Sequence, residues 1–199
     1  MDLAEPIAVT VAIVEALDKI GVRYLVGGSL ASSMHGIPRS TQDVDIVADL
    51  KLGHAVRLAR ELADTFYVDA DMIREAVVNQ SSFNVIHLET MFKADIFVLR
   101  GDDFALEEMN RAHLEQLGER QVVVASAEDI VLEKLRWYRM GDAASDRQLR
   151  DVLGVLTVQA KSLDFSYLRT WAAKLGLGDL LKQALDDAGI TGDNSGEVD

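Results

Sequence analysis

Cysteine is absent from the 199 residues. That excludes a disulfide framework and a thiolate metal site, and it fits a reducing compartment. Long apolar runs are absent too. None approaches the roughly 20 residues that span a bilayer. The first ten residues lack a basic segment and carry Asp2 and Glu5, so they do not read as a signal peptide. A soluble, cytoplasmic protein is the expectation. Basic residues are scarce: 20 Lys and Arg stand against 33 Asp and Glu, a formal net charge of -13. This argues against a broad polyanion-binding surface and does not exclude a local basic patch. Part of the acidic excess lies in the tail, at Asp186, Asp187, Asp193, Glu197 and Asp199. What is present in quantity is apolar: 49% of the chain, enough for a real core at this length.

Ile7 to Ile20 has helical spacing of apolar residues, with Gly21 as a stop. Val22 to Val26 reads as a buried strand that enters a tight turn at Gly27-Gly28. Ser29 is the expected N-cap of a short helix to His35, ended by Pro38. Asp43 to Ala48 alternates as a strand, with Asp43, Asp45 and Val47 on one face. Helices are expected over 52–62 and, more weakly, 72–78. Strands are expected over 83–88, 94–99 and 121–125. The stretch 104–117 is ambiguous, with helix for part of it. From Ser126 the pattern is helical only. A capping-box-like start at Ser126 opens a helix to Met140, and the same pattern at Ser145 opens one to about Gln159. Shorter helices follow over 165–174 and 179–188. The fold class predicted is α+β: a mixed sheet with flanking helices over residues 1–125, a small helical subdomain over 126–189, and a disordered tail over 190–199.

The chemistry concentrates between Gly27 and Asp45. Two glycines let the backbone approach a ligand closely. Ser29 at a helix N-terminus offers a hydroxyl and free N–H groups, which suit phosphate. Asp43 and Asp45 then put two carboxylates on one strand face. Like charges so placed call for a cation, and oxygen ligands favour Mg²⁺ or Mn²⁺. Asp95 stands in a second apolar strand, Lys93-Ala94-Asp95-Ile96-Phe97. If that strand lies beside the first, three carboxylates can hold two metals about 3.5–4 Å apart, which would clamp an in-line phosphoryl displacement.

Gly28-Ser29, then Asp43-Val44-Asp45, then a later lone Asp on a strand resembles the nucleotidyltransferase superfamily of the polymerase-beta type. Arg39-Ser40-Thr41, Ser126 to Asp129, Lys134 to Arg139 and Arg147 to Leu153 resemble its minimal and AbiEii-like toxin branches. The resemblance covers roughly residues 22–156. It implies an enzyme that moves a nucleoside monophosphate from an NTP to a hydroxyl acceptor. It assigns Asp43, Asp45 and Asp95 to metal, and Gly28 and Ser29 to nucleotide phosphates. Arg39 and Thr41 are expected close to those phosphates. Lys134 is expected to neutralise triphosphate charge. Asp95, Lys134 and Asp151 form the expected catalytic set, with Asp151 facing away from the Leu149/Val152/Leu153 stripe of its helix.

Plainer readings compete with these. Gly27-Gly28 alone is an ordinary turn. Lys134 can be a lysine whose stem snorkels beside a Val131/Leu135/Tyr138 stripe. Asp151 can pair with Arg147 on the surface. Lys134, Arg136, Arg139, Arg147 and Arg150 form either solvated helix faces or an electropositive rim for triphosphate or RNA. The four histidines show no ligand spacing and read as structural. Trp137, Tyr138 and Trp171 read as core. Three functions stay open: a toxin-like enzyme acting on RNA or protein, with a possible antitoxin partner; a small-molecule nucleotidyltransferase of the aminoglycoside type; and a non-catalytic nucleotide-binding module.

Overall fold

The computed structural model describes residues 4–141 and 146–190. These divide into two compact units. One takes residues up to Ala31 and Arg39–Ser126; the other takes Ser32–Pro38 and the residues from Ala127 on.

The first unit is built on one seven-stranded sheet. Its strands are β1 (Tyr24–Val26), β2 (Asp43–Ala48), β3 (Phe66–Tyr67), β4 (Ser82–His87), β5 (Lys93–Val98), β6 (His113–Leu117) and β7 (Arg120–Val124). Their order is β3-β4-β5-β2-β1-β7-β6. β2 and β5 run parallel at its centre, as do β1 and β7; the remaining neighbours are antiparallel. The mixed α+β architecture expected from the sequence is the one observed.

The helices follow from their sequence signals. α1 (Ala4–Ile20) buries Ile13, Val14 and Leu17 completely, and Gly21 stops it at φ +73°. α2 (Gly28–His35) begins one residue earlier than expected. Ser29 therefore lies inside its first turn and is not its N-cap. A 3₁₀ turn at Leu52–His54 leads into α3 (Ala55–Leu62), and α4 (Ala70–Asn79) follows. Asp69 caps α4 by accepting from the Asp71 N–H at 2.6 Å, and Asp102 caps α5 (Asp103–Arg111) by accepting from Ala105 N–H at 2.9 Å. The ambiguous stretch thus divides into α5 and β6. Helices α1, α3 and α4 pack on and around one face of the sheet. There Val44, Ile46, Ala48, Phe83, Val85, Ala94, Ile96 and Val98 form the core.

The second unit contains α6 (Ala127–Met140), α7 (Asp146–Gln159), α8 (Phe165–Lys174) and α9 (Gly178–Asp187). Residues 32–38 belong with it for a packing reason. Gly36 has no side chain, and a Cβ there would lie 2.8 Å from the Val155 backbone nitrogen. The His35 carbonyl accepts from Gln159 Nε2 at 2.9 Å nearby. Asp164 caps α8 through Tyr167 N–H at 2.9 Å, while the Glu128 carboxylate accepts the Asp164 N–H. Ser145 and the segment 191–199, with most of the expected tail, lie outside the described residues. No described helix is long and apolar enough to cross a membrane.

Candidate metal and phosphate site

The register of two parallel strands builds the site. Asp45 is the register partner of Asp95, and Asp43 is the partner of Lys93. Partners across a ladder point to the same side of the sheet. Burial agrees: positions 44, 46, 48, 94, 96 and 98 are buried, whereas 43, 45, 47, 93, 95 and 97 are half-buried. The face away from the apolar core therefore carries a two-by-two patch of three carboxylates and one ammonium. Asn84 of β4, opposite Asp95 in the antiparallel ladder, extends the row. Neighbouring strands lie about 4.8 Å apart. Two carboxylates at that spacing can reach one small ion at oxygen distances of about 2.1 Å.

Each carboxylate has a local partner. The Asp45 side chain packs on Gly28, where an added Cβ would overlap the carboxylate and lie 2.7 Å from the Asp45 Cβ. Gly28 also sits at φ +56°, in the left-handed region. The Gly27 N–H donates to the Asp45 carbonyl at 2.9 Å, which fixes this corner. Thr41, buried at 5% exposure, donates through Oγ1 to the Asp43 carbonyl at 2.7 Å and reaches Asp43 Oδ1 at 3.2 Å. Thr41 thus bonds to a carboxylate of the site and orients it. Lys93 Nζ donates to Asp95 Oδ2 at 2.8 Å. The hydrogen bond to Asp95 raises the Lys93 pKa above its usual range, with added pull from the charges of Asp95, Asp43 and Asp45.

The start of α2 lies beside this patch. Ser29 is in the first turn, and Arg39 Nη2 donates to its Oγ at 2.6 Å. A guanidinium, a hydroxyl and first-turn N–H groups are thereby gathered at a helix N-terminus, a combination suited to phosphate oxygens.

The donor set fits a hard divalent ion by its all-oxygen chemistry and by its common face. Among the described residues, no group of three or more Asp, Glu, His or Cys is gathered closely enough to hold one as the side chains stand. The backbone register already places the three aspartates together.

Lys134 and Asp151 belong to the helical unit and meet there. Lys134 Nζ donates to Asp151 Oδ2 at 2.8 Å, with side chains only 6% and 5% exposed. Lys134 is thus not the snorkelling surface lysine of the plain reading. Asp151 is paired across two helices and not with Arg147. It lies on the buried side of α7, with Val152, Val155 and Leu156, and does not turn away from it. Other members of the basic cluster are also partnered. Arg136 pairs with Glu133 at 3.2 Å, Arg139 pairs with Asp179, and Arg150 donates to the Asp146 carbonyl at 3.3 Å. Trp137 is 48% exposed and is not core. Its tryptophan type suggested burial, but its position on α6 faces outward.

Sequence reasoning missed two members of the site face, Lys93 and Asn84. The signal was available for the first. Lys93 lies two residues before Asp95 in an alternating strand, so both share a face. Asn84 could be found only once β4 was registered against β5.

No family model matches the chain, and no curated protein matches it in sequence. Solved structures do match in fold. The antibiotic-resistance factor ANT(2'')-Ia in solution is similar at 13% identity and a TM-score of 0.55, covering 95% of this chain and 97% of that one. ANT(2'')-Ia in complex with adenylyl-2''-tobramycin is similar at 14% identity and 0.58, covering 86% and 97%. An antigenic nucleotidyltransferase-like protein from Paracoccidioides brasiliensis is similar at 18% identity and 0.52, covering 89% and 91%. The chain has a nucleotidyltransferase-like fold.

Proposed function

We propose that this protein is a metal-dependent nucleotidyltransferase that moves a nucleoside monophosphate from an NTP to a hydroxyl of a small-molecule acceptor. The observation that carries the reading is the Asp45–Asp95 register pair, with Asp43 two residues along and the Gly28-Ser29 helix start beside it. A divalent ion bound by Asp43, Asp45 and Asp95 would supply Lewis-acid stabilisation of charge on the transferring phosphoryl group. The chain's own residues do the rest. The α2 N-terminus and Ser29 receive phosphate oxygens, and Arg39 adds a planar cation. Thr41 keeps Asp43 oriented. Asp95 accepts the proton of the acceptor hydroxyl as its oxygen bonds to the α-phosphorus. The bond from that phosphorus to the bridging oxygen breaks, and pyrophosphate leaves with the electron pair. Positioning and charge neutralisation carry most of the acceleration.

A small acceptor is favoured over RNA by charge. The formal net charge is -13, which repels a polyanion, attracts a cationic molecule and leaves a neutral one unopposed. The helical basic cluster, the one feature that favoured RNA, has much of its charge engaged by Asp151, Glu133 and Asp179. The fold likeness to an ANT(2'')-Ia complex that holds an adenylylated tobramycin agrees with this choice. A toxin-like activity on RNA or protein, with or without an antitoxin, becomes an outcome of the test. The protein is incubated with Mg²⁺ and α-³²P-labelled NTPs, with total RNA, whole-cell protein, or a panel of aminoglycosides and other polyols. Label is expected in the small-molecule fraction, and absent with Asp43→Ala/Asp45→Ala. Label in RNA or protein instead would overturn the acceptor assignment. No label in any fraction would overturn the transferase reading.

A further inference from the structure

Four side chains occupy the corners of the site patch: Asp43 beside Lys93, and Asp45 beside Asp95. Three carry negative charge and one positive, so the patch has a formal charge of -2. Lys93 Nζ is joined to Asp95 Oδ2 at 2.8 Å, and Asp95 is the β5 register partner of Asp45. The lysine side chain is 44% exposed and the aspartate 17%. The ammonium can therefore swing into solvent, while the carboxylate stays at the site.

We propose that Lys93 is the resident counter-cation of this site: its ammonium holds Asp95 in the metal-free protein and competes with the divalent ion for that carboxylate. The inference rests on the proposed metal-binding role of the three aspartates. Two consequences follow from Coulomb's law. Without metal, Lys93 relieves repulsion among three carboxylates that the strand register holds together. When metal binds, the Lys93–Asp95 pair has to open, and the ammonium then repels the incoming ion. Lys93 thus sets a threshold for divalent binding in the empty protein. A bound triphosphate, with its own negative charge, would lower that threshold.

The experiment is a Mn²⁺ titration of the full chain, without nucleotide, followed by calorimetry and by loss of the free-Mn²⁺ resonance signal. Wild type is compared with Lys93→Met, Lys93→Arg and Lys51→Met. Lys51 pairs with Asp49 at 2.8 Å beyond the end of β2, and serves as a control for general charge. Lys93→Met is expected to bind Mn²⁺ about five- to tenfold more tightly, the size of effect a partly exposed pair supports. Lys93→Arg and Lys51→Met are expected to stay close to wild type. Thermal melting supplies a second readout. Lys93→Met is expected to melt lower than wild type in EDTA and to recover in excess Mg²⁺, and this holds even if the variant is poorly folded without metal. Unchanged or weaker Mn²⁺ binding by Lys93→Met, while wild type binds, would overturn the role of Lys93 alone. An equal gain in Lys51→Met would overturn it as well. Absence of Mn²⁺ binding in wild type and every variant would overturn the metal reading, and this inference with it.

Discussion

A methyl group at position 28 would collide with the Asp45 carboxylate, and the backbone there has a positive φ. Gly28→Ala meets both obstacles at once. The expected cost is about 1–3 kcal/mol of unfolding free energy, measured by urea denaturation. Asp45 would be displaced as well, so the folded fraction is expected to lose Mn²⁺ affinity. Normal stability and normal metal binding in Gly28→Ala would show that the close approach has no role. At this scale the sequence was informative where chemistry forces a residue type. A Gly-Ser pair and an alternating Asp-x-Asp can be recognised before any coordinates exist. Thr41 was expected beside phosphate, but its two hydrogen bonds to Asp43 depend on the turn entering β2. Residue identity alone does not encode that turn.

Between elements, a buried ion pair of the helical unit joins α6 to α7 through Lys134 and Asp151. Both side chains are nearly buried, so removing one partner leaves the other charge buried without this ion pair. Lys134→Met or Asp151→Leu alone is expected to cost about 3–5 kcal/mol, whereas the double change Lys134→Met/Asp151→Leu is expected to cost much less than the sum. Thermal or urea unfolding of the four proteins checks this, and strict additivity would show that the pair does not act as a unit. Most elements were legible from apolar period and punctuation. β2 and α8 have the expected bounds, α6 and α7 begin one residue after Ser126 and Ser145 and end where expected, and α1, α4 and α9 differ by a few residues at one or both ends. β3 was missed because two residues carry no periodicity. β6 was missed because its pattern is mostly exposed, at the edge of the sheet. Strand propensity there is supplied by pairing with β7, which is a tertiary fact.

On the scale of the whole molecule, two properties decide the functional reading. The fold places a carboxylate-rich strand pair with its apolar side on the core and its acidic side away from it. Under the proposed function, the formal charge of -13 favours a cationic acceptor over a polyanionic one. Composition showed the charge at once. It could not show that Lys134, Arg136 and Arg139 of α6 are answered by acidic side chains, since those pairs span up to 40 residues of sequence. Nor could it show that β5 lies parallel and in register with β2, the arrangement on which the site depends. The most direct test is Mn²⁺ binding, read by electron paramagnetic resonance, in wild type, Asp45→Asn and Asp95→Asn. Wild type is expected to bind Mn²⁺, and each single change is expected to weaken binding by about tenfold or more, because both strands contribute to one ion. Wild-type affinity in both variants would contradict a shared ion between β2 and β5.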